Sequence, residues 1–266
     1  MEHYDVTFKK KFGQNFLKRK VVVERIADVC SLNKDDLVIE VGPGGAILTQ
    51  ELAKRAGHVL AYEIDEDLKV ELTNKLSEFS NVDILFQDFL NSSLEYDISR
   101  FSYSNLYFIS NVPYYITTPI IMKIVNSNLN FKKICMMVQK EVGNRFCASP
   151  GSREYGSISV FLSYFYDVKK EFLVSRKEFV PEPNVDSVVI SFTKKDVVLN
   201  LKDRDLFFKV VRDSFQFKRK NLRNNLKKYD LNIIRSVLQD YDYDLTVRAE
   251  QLSVEIFVAI ANALAG

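Results

Sequence analysis

Cysteine and histidine are scarce in this chain of 266 residues. The three cysteines, Cys30, Cys135 and Cys147, are far apart and form no C-x-x-C pair, which indicates reduced thiols of a cytosolic protein rather than a disulfide framework. Only two histidines are present, His3 and His58. This makes a histidine-based metal site or a Ser-His-Asp catalytic triad unfavourable as an interpretation. We therefore expect no metal and a cytoplasmic location.

Long uncharged runs are also rare. The longest covers residues 101–122 and contains Asn105, Asn111, Pro113 and Pro119, which suit a buried strand, a loop and a helix start better than a membrane span. The N-terminal segment is basic and has no apolar stretch of the signal-peptide kind. We expect neither membrane insertion nor secretion.

The net charge is only +2, but basic residues are concentrated in two segments. Six basic residues and no acidic one lie between Lys9 and Lys20, and eight basic residues against the single Asp213 lie between Lys209 and Lys228. The rest of the chain is therefore acidic. Such a distribution favours docking of a polyanion in one orientation. The alternative is that each segment is simply a solvated helix face.

Apolar runs alternate with helical patterns through most of the chain, which predicts βαβ units and a largely parallel sheet. The predicted strands are Leu37–Val41, His58–Tyr62, Val82–Phe86, Leu106–Ser110, Lys133–Gln139, Val168–Val174 and Asp186–Phe192. The predicted helices between them include Ala46–Ala56, Asp67–Leu76 and Thr118–Asn126.

After the last predicted strand, the polar residues 193–201 are typical of a linker. Only helical patterns follow it. These are Asp203–Phe215, Lys220–Tyr229, Leu231–Asp240 and Ser253–Leu264. We therefore expect an α/β domain over residues 1–194 and a small all-α domain over residues 195–266.

A glycine-rich turn, Gly42-Pro43-Gly44-Gly45, follows the first predicted strand. Glycine permits a close backbone approach to a ligand at such a turn. The dinucleotide pattern G-x-G-x-x-G fails because its third glycine position is Ile47. Pro43 also removes an amide that a pyrophosphate could use. The turn favours a cofactor without phosphates over a nicotinamide dinucleotide.

Two acidic residues follow the next two predicted strands. Glu63 lies twenty-one residues after Gly42, where a carboxylate can accept hydrogen bonds from both ribose hydroxyls of a nucleoside. Asp88 is placed to accept a hydrogen bond from the adenine amine of such a cofactor, with Phe89 beside the ring. The alternatives are an exposed helix-capping acid for Glu63 and a simple turn former for Asp88.

The residues Asn111-Val112-Pro113-Tyr114 end the fourth predicted strand. An aromatic amine is a poor nucleophile because its lone pair is delocalised into the ring. The side-chain carbonyl of Asn111 and the backbone carbonyl of Val112 can each accept one of its N–H groups. The lone pair can then point at a methyl donor. Pro113 fixes the turn, and Tyr114 offers a face for a flipped adenine. The alternative is an irregular turn with a core tyrosine.

Taken in order, these motifs make the chain resemble the small-subunit ribosomal RNA adenine dimethyltransferases, over nearly its whole length. The resemblance rests on residues 12–17, 40–44, 63, 88, 111–114, 139–142, 155–156, 179–187, 218–224 and 248–250. It implies a Rossmann-like class I methyltransferase domain with a C-terminal helical domain. It also implies four methyl transfers, two to the N6 amine of each of two adjacent adenosines in the 3′-terminal hairpin, as part of small-subunit biogenesis.

The resemblance further assigns roles to individual residues. It implies that S-adenosylmethionine is the cofactor and that it is bound by Asn15, Leu17, Gly42, Gly44, Glu63, Asp88 and Asn111. Catalysis is expected from Asn111, Val112, Pro113 and Tyr114. Docking on the ribosomal RNA of the small subunit or its precursor is expected from Lys218, Arg219, Lys220 and Arg223. We expect a monomer.

Two segments depart from the family pattern. Lys18-Arg19-Lys20 replaces a segment with an acidic residue, and Tyr115 stands where Asn or His is common. Three alternatives remain: a large-subunit rRNA adenine methyltransferase, a non-catalytic RNA-binding assembly or transcription factor, and an NAD-dependent dehydrogenase. The basic segment near Lys218 and the Arg248-Ala249-Glu250 triplet argue against the first, and the acidic residues with Asn111 argue against the second.

Overall fold

The computed structural model describes residues 16–127, 129–196 and 199–266. Within these residues, seven strands form one sheet and two short strands pair separately. The large sheet consists of β2 (Asp36–Val41), β3 (His58–Glu63), β4 (Val82–Phe86), β5 (Asn105–Asn111), β6 (Phe131–Gln139), β7 (Tyr166–Val174) and β9 (Ser187–Lys194). The antiparallel pair consists of β1 (Phe16–Leu17) and β8 (Phe179–Val180).

The strand order of the large sheet is β4-β3-β2-β5-β6-β9-β7. β2 is parallel to β3 and β5, β3 is parallel to β4, and β5 is parallel to β6. β9 is antiparallel to β6. The chain moves from β2 outward to β4 and then returns to β5, so the direction of winding reverses between β2 and β5. Ligand sites of open α/β sheets lie at the carboxyl ends of the strands beside such a reversal.

Helices connect and follow these strands. In the described residues they are α1 (Lys20–Asp28), α2 (Ile47–Arg55), α3 (Lys69–Lys75), α4 (Leu94–Ile98), α5 (Thr117–Asn126), α6 (Lys140–Phe146), α7 (Ser157–Phe165), α8 (Arg204–Ser214), α9 (Leu222–Asn225), α10 (Leu231–Gln239) and α11 (Val254–Leu264). All six residues of β2 are buried, as expected for a parallel strand covered on both faces. The predicted α/β fold class is confirmed.

Two compact units divide the chain. The first runs to Gly143 and resumes over Lys169–Thr193, and the second comprises Asn144–Val168 and Lys194–Gly266. The sequence predicts a single boundary at residue 194 instead. Residues 144–168 group with the second unit because Val160 and Tyr164 share a buried cluster with residues of the C-terminal helices. The segment Ser157–Phe165 is apolar at most positions, so no helical period marked it in the sequence.

The helix predicted over Lys220–Tyr229 is largely wrong. Only Leu222–Asn225 is helical, and the residues on either side form turns. Asn221 begins the helix, since its side chain accepts a hydrogen bond from the amide of Asn224. Asn225 ends it with a buried side chain that bonds to backbone groups of the preceding turn. Asparagine side chains compete with helix hydrogen bonds in this way.

Candidate active site

A cavity lies at the carboxyl ends of β2, β3, β4 and β5, beside the reversal of the sheet. It is lined by residues 16–17, 40–45, 47–48, 62–64, 87–90 and 111–116. The sheet topology therefore brings together four of the segments that the sequence singles out, although the first begins at Gly42 and the last ends at Tyr114. All of them belong to the first compact unit.

The glycine turn forms one wall of the cavity. Gly42 and Gly44 have φ angles of +74° and +50°, a left-handed conformation that glycine adopts without steric cost. A Cβ atom on Gly44 would lie 2.7 Å from a ring carbon of Phe16, so a larger residue would displace that ring. The amide of Gly42 donates to the carbonyl of Tyr62 at 2.8 Å. The turn is thus fixed to β3 and packed against β1.

Glu63 ends β3 and is 4% exposed. Its Oε1 accepts a hydrogen bond from the amide of Asp65 at 2.9 Å, and its Oε2 accepts one from the amide of Gly44 at 3.3 Å. Burial raises the pKa of Glu63, and these backbone donors oppose the rise. A carboxylate has about four acceptor positions, so two protein bonds leave capacity for a ligand. The structure therefore contradicts an exposed helix-capping role for this residue.

Asp88 follows β4 and also lines the cavity. Its Oδ1 accepts from the amide of Leu90 at 2.9 Å and its Oδ2 accepts from the side-chain amide of Asn91 at 2.9 Å. Asp88 therefore forms a turn, the alternative considered from the sequence, and it also lies beside the cavity. Phe89 is buried, and its ring meets that of Tyr62 edge to face at 5.2 Å.

The segment Asn111 to Tyr114 lines the cavity beside the glycine turn, where a Cβ atom on Gly42 would lie 3.6 Å from a ring carbon of Pro113. Asn111 is the last residue of β5, Val112 is buried, and the carbonyl of Pro113 accepts from the amide of Ile116 at 3.2 Å. A turn of 3-10 helix over residues 114–116 leads directly into α5. The turn therefore holds all four residues predicted to be catalytic against the cavity.

Tyr114 is anchored through its hydroxyl group. Its Oη lies 2.6 Å from the Oγ of Ser187, a fully buried residue of β9. Burial raises the pKa of Tyr114, against the opposing effect of the Ser187 hydrogen bond. The phenol therefore stays protonated near neutral pH, where it can orient the ring but not act as a base. The motif Val185-Asp186-Ser187 is visible in the sequence, but nothing there links it to Tyr114.

Glu40 is a site residue that sequence reasoning missed. It lies in β2, is 1% exposed and lines the cavity. Its Oε2 has no hydrogen-bond partner among the described residues. Burial raises the pKa of Glu40 to about 8, Thr49 acts in the opposite direction, and the nearby charge of Glu63 adds to the rise. The sequence does contain a signal for this role of Glu40, because the residue interrupts the apolar run Val38-Ile39-Glu40-Val41. Buried carboxylates are rare without a partner.

The remaining predicted residues are two expected to bind the cofactor, Asn15 and Leu17, and four expected to bind RNA. Leu17 is a buried residue of β1 and lines the cavity, whereas Asn15 lies outside the described residues. Lys218, Arg219 and Lys220 are exposed in the turn between α8 and α9, and Arg223 is exposed in α9. These four belong to the second compact unit, so the structure does not join them to the cavity.

Tyr115, one of the two departures from the family pattern, also lines the cavity and is 56% exposed. Burial of part of its ring raises the pKa of its hydroxyl group, and the charges of Asp88 and Glu63 add to the rise. Its side chain is thus near both acidic residues that the sequence assigned to a nucleoside. The basic residues Lys18, Arg19 and Lys20 are exposed, and Arg19 pairs with Glu178 at 3.2 Å.

Metal-binding clusters and membrane-spanning helices are absent from the described residues. No group of three or more His, Cys, Asp or Glu side chains there is arranged to hold a metal ion. In the same part of the chain, each helix is too short or too polar to cross a membrane.

Comparison with known proteins places the chain among RNA methyltransferases. A family model described as "Ribosomal RNA adenine dimethylase" matches residues 6–266. "Ribosomal RNA small subunit methyltransferase A" of Streptococcus equi subsp. zooepidemicus is 39% identical over 99% of this chain and 94% of its own length. The protein of the same name from Streptococcus pyogenes is 38% identical over the same shares.

Two solved structures share the fold. The 23S rRNA methyltransferase ErmE has a TM-score of 0.75 and 24% identity, with 94% of this chain and 100% of ErmE covered. A dimethyladenosine transferase from Plasmodium falciparum has a TM-score of 0.77 and 23% identity, with 92% of this chain and 95% of that chain covered. At these identities the likeness concerns the fold alone.

Proposed function

Because the chain belongs to the ribosomal RNA adenine dimethylase family, whose enzymes use S-adenosylmethionine, we propose that it dimethylates the N6 amines of two adjacent adenosines in the 3′-terminal hairpin of small-subunit rRNA. The observation that carries the proposal is the turn from Asn111 to Tyr114, which lines the same cavity as the glycine turn and Glu63. The names of the streptococcal relatives support the choice of the small subunit.

The cavity residues fit S-adenosylmethionine. A Cβ atom at Gly44 would collide with the ring of Phe16, so glycine there lets the turn and Phe16 line the cavity together. Backbone amides donate to both oxygens of Glu63, Asp65 to Oε1 and Gly44 to Oε2, and because a carboxylate has about four acceptor positions, capacity remains for ribose hydroxyls. The partnerless Oε2 of Glu40, unpaired among the described residues, suits a cationic amino group, because a buried carboxylate is stabilised by an opposite charge. Leu17, Gly42, Asp88 and Asn111 line the same space.

The proposed mechanism rests on orientation of the target amine. When bound, S-adenosylmethionine supplies an electrophilic methyl group. The side-chain carbonyl of Asn111 and the backbone carbonyl of Val112 accept the two N–H groups of adenine. These hydrogen bonds strengthen as positive charge develops on the nitrogen. Tyr114 stacks on the adenine ring, and Ser187 holds the tyrosine in place. The phenol is protonated and does not act as the base. The positively charged nitrogen formed by methyl transfer is a strong acid, so its proton passes to water.

The basic residues of the second unit supply the proposed docking surface. Lys218, Arg219, Lys220 and Arg223 are exposed and close together in the chain, which suits phosphate contacts. In this proposal the second unit positions the ribosomal RNA and the first unit methylates it. The reaction would take place in the cytoplasm, on the small subunit or its precursor, and would contribute to small-subunit biogenesis with the protein acting as a monomer.

A labelling experiment tests the proposal. The protein is incubated with methyl-labelled S-adenosylmethionine and with unmethylated small or large ribosomal subunits, and the labelled nucleotides are mapped by mass spectrometry. The proposal predicts two adjacent dimethyladenosines in small-subunit RNA. Label confined to large subunits would identify the alternative substrate instead. Binding of the cofactor without any transfer would favour a non-catalytic RNA-binding protein.

A further inference from the structure

The turn between α8 and α9 exposes an aromatic ring. Phe217 is 56% exposed, whereas Phe215, two residues earlier, packs inward. The ring of Phe215 meets that of Tyr155 edge to face at 6.0 Å and lies 5.8 Å from that of Phe257. One phenylalanine thus anchors the turn in the core of the second unit while the next faces solvent. A single exposed apolar residue is common on protein surfaces. Whether Phe217 binds a ligand therefore depends on how its backbone is held and which residues surround its ring.

The backbone that presents Phe217 is fixed by a buried asparagine. Asn225 is 6% exposed. Its Oδ1 accepts from the amide of Phe217 at 3.3 Å, and its Nδ2 donates to the carbonyls of Ser214 at 2.7 Å and Phe217 at 3.3 Å. The carbonyl of Phe217 also accepts from the amide of Lys220 at 2.8 Å. Ordering a flexible backbone costs conformational entropy, and these hydrogen bonds already order this turn.

The surroundings of the ring are strongly basic. Lys218, Arg219 and Lys220 follow it directly and are all exposed. Six basic residues and no acidic one lie between residues 214 and 229. The Nζ of Lys218 donates to the carbonyl of Arg153 at 2.7 Å, which brings a further basic residue close. Aromatic faces among cations are the arrangement by which proteins bind nucleic acid with exposed bases.

We propose that Phe217 is a stacking platform for an unpaired base of ribosomal RNA, while the adjacent cations bind the flanking phosphates. This inference rests on the proposed function, which makes ribosomal RNA the partner. The base must be unpaired because base faces are covered within a helix, and proteins stack aromatic side chains on the splayed bases of loops, bulges and ends. The hydrogen bonds of Asn225 make it the residue that positions the platform.

Equilibrium binding to unmethylated small subunits, measured at several salt concentrations, separates stacking from charge. Stacking of one base is worth about 1–3 kcal/mol, so Phe217→Ala is expected to weaken binding about 5- to 140-fold. The slope of affinity against salt should stay as in the wild type, because the cations that bind phosphates are all retained. Phe217→Tyr should bind like the wild type. Tyr241→Ala removes another exposed aromatic ring of the same unit and is the matched control, with unchanged affinity.

Photocrosslinking identifies the bound nucleotide directly. A benzoylphenylalanine placed at position 217 should crosslink to one or a few unpaired nucleotides. Wild-type affinity of Phe217→Ala, or crosslinks only to paired nucleotides or to ribosomal proteins, would overturn the inference. Binding to vesicles of phosphatidylglycerol that depends on Phe217, with RNA affinity unchanged, would overturn it in favour of a membrane surface.

The two proposals fail in distinguishable ways. If the wild type methylates small subunits but Phe217→Ala binds them normally, the stacking inference is wrong and the proposed function stands. If the wild type methylates only large subunits, the proposed function is wrong. The same comparison of Phe217→Ala with Tyr241→Ala on large-subunit RNA then decides whether Phe217 stacks on a base.

Discussion

A buried carboxyl group with a raised pKa makes the stability of the first unit depend on pH in an unusual direction. Glu40 is 1% exposed, and burial raises its pKa from 4.5 to about 8. Between these values the folded protein holds a proton on Glu40 that the unfolded chain releases. Because the folded state then binds more protons, stability falls as the pH rises through this window. Glu40→Gln replaces the acid by a neutral side chain of the same shape and removes the contribution of Glu40 to this pH dependence.

The size of the effect follows from the same pKa. Each rise of one pH unit within this window lowers the free energy of unfolding by about 1.4 kcal/mol. Between pH 5 and pH 7, the wild type should therefore lose about 3 kcal/mol of stability relative to Glu40→Gln. Well above pH 8 the difference should become constant, since Glu40 is then ionised in both states.

Amide hydrogen exchange of β2 measures this difference without requiring the whole chain to unfold in one step. The opening free energies of the two proteins are compared at several pH values from about 5 to about 8, the window that the raised pKa defines, after correction for the intrinsic pH dependence of exchange. A difference that does not change with pH would refute the reasoning. It would mean that Glu40 is ionised in the folded protein throughout.

Three further predictions concern the cofactor site, the target base and RNA docking. Glu63→Ala should weaken binding of S-adenosylmethionine in calorimetry, because two ribose hydroxyls lose a charged acceptor worth roughly 1.5–3 kcal/mol each. Tyr114→Phe should keep most of the methylation activity, whereas Tyr114→Ala should lose stacking worth roughly 1–3 kcal/mol. Charge reversal of Arg219 and Arg223 should weaken RNA binding and flatten its salt dependence by about one unit of slope for each phosphate that is no longer bound, with cofactor affinity unchanged.

Each of these predictions has a contradicting result. Unchanged cofactor affinity of a folded Glu63→Ala protein would exclude the ribose role. A Tyr114→Phe enzyme as inactive as Tyr114→Ala would show that the hydroxyl group, bonded to Ser187, has a chemical role beyond anchoring the ring. Equal loss of cofactor and RNA affinity after reversal of Arg219 and Arg223 would indicate a general structural defect.

The sheet was predictable because its strands carry strong local signals. The apolar runs that end near Gly42, Glu63, Asp88 and Asn111 match observed strands within about two residues. Parallel strands place their carboxyl ends along one edge, so these residues had to lie near one another. The main candidate site therefore followed from sequence order and sheet topology together.

Other features depend on contacts that a linear pattern does not contain. The bond between Tyr114 and Ser187 joins residues 73 positions apart. Within the described residues, the lack of a partner for Glu40 Oε2 depends on packing around β2. The helix predicted over Lys220–Tyr229 failed because the side chain of Asn225 binds the preceding turn. Tertiary hydrogen bonds overrode helix propensity there.

The role of Asn111 in methylating small-subunit RNA is the central claim, and nucleotide mapping with an Asn111→Ala control tests it most directly. Unmethylated small subunits are incubated with labelled S-adenosylmethionine and either protein, and RNA binding is measured in parallel. We expect dimethylation of two adjacent adenosines by the wild type. For Asn111→Ala we expect a rate lower by orders of magnitude, with RNA affinity near that of the wild type. Label at another nucleotide, or an Asn111→Ala enzyme as fast as the wild type, would contradict the claim.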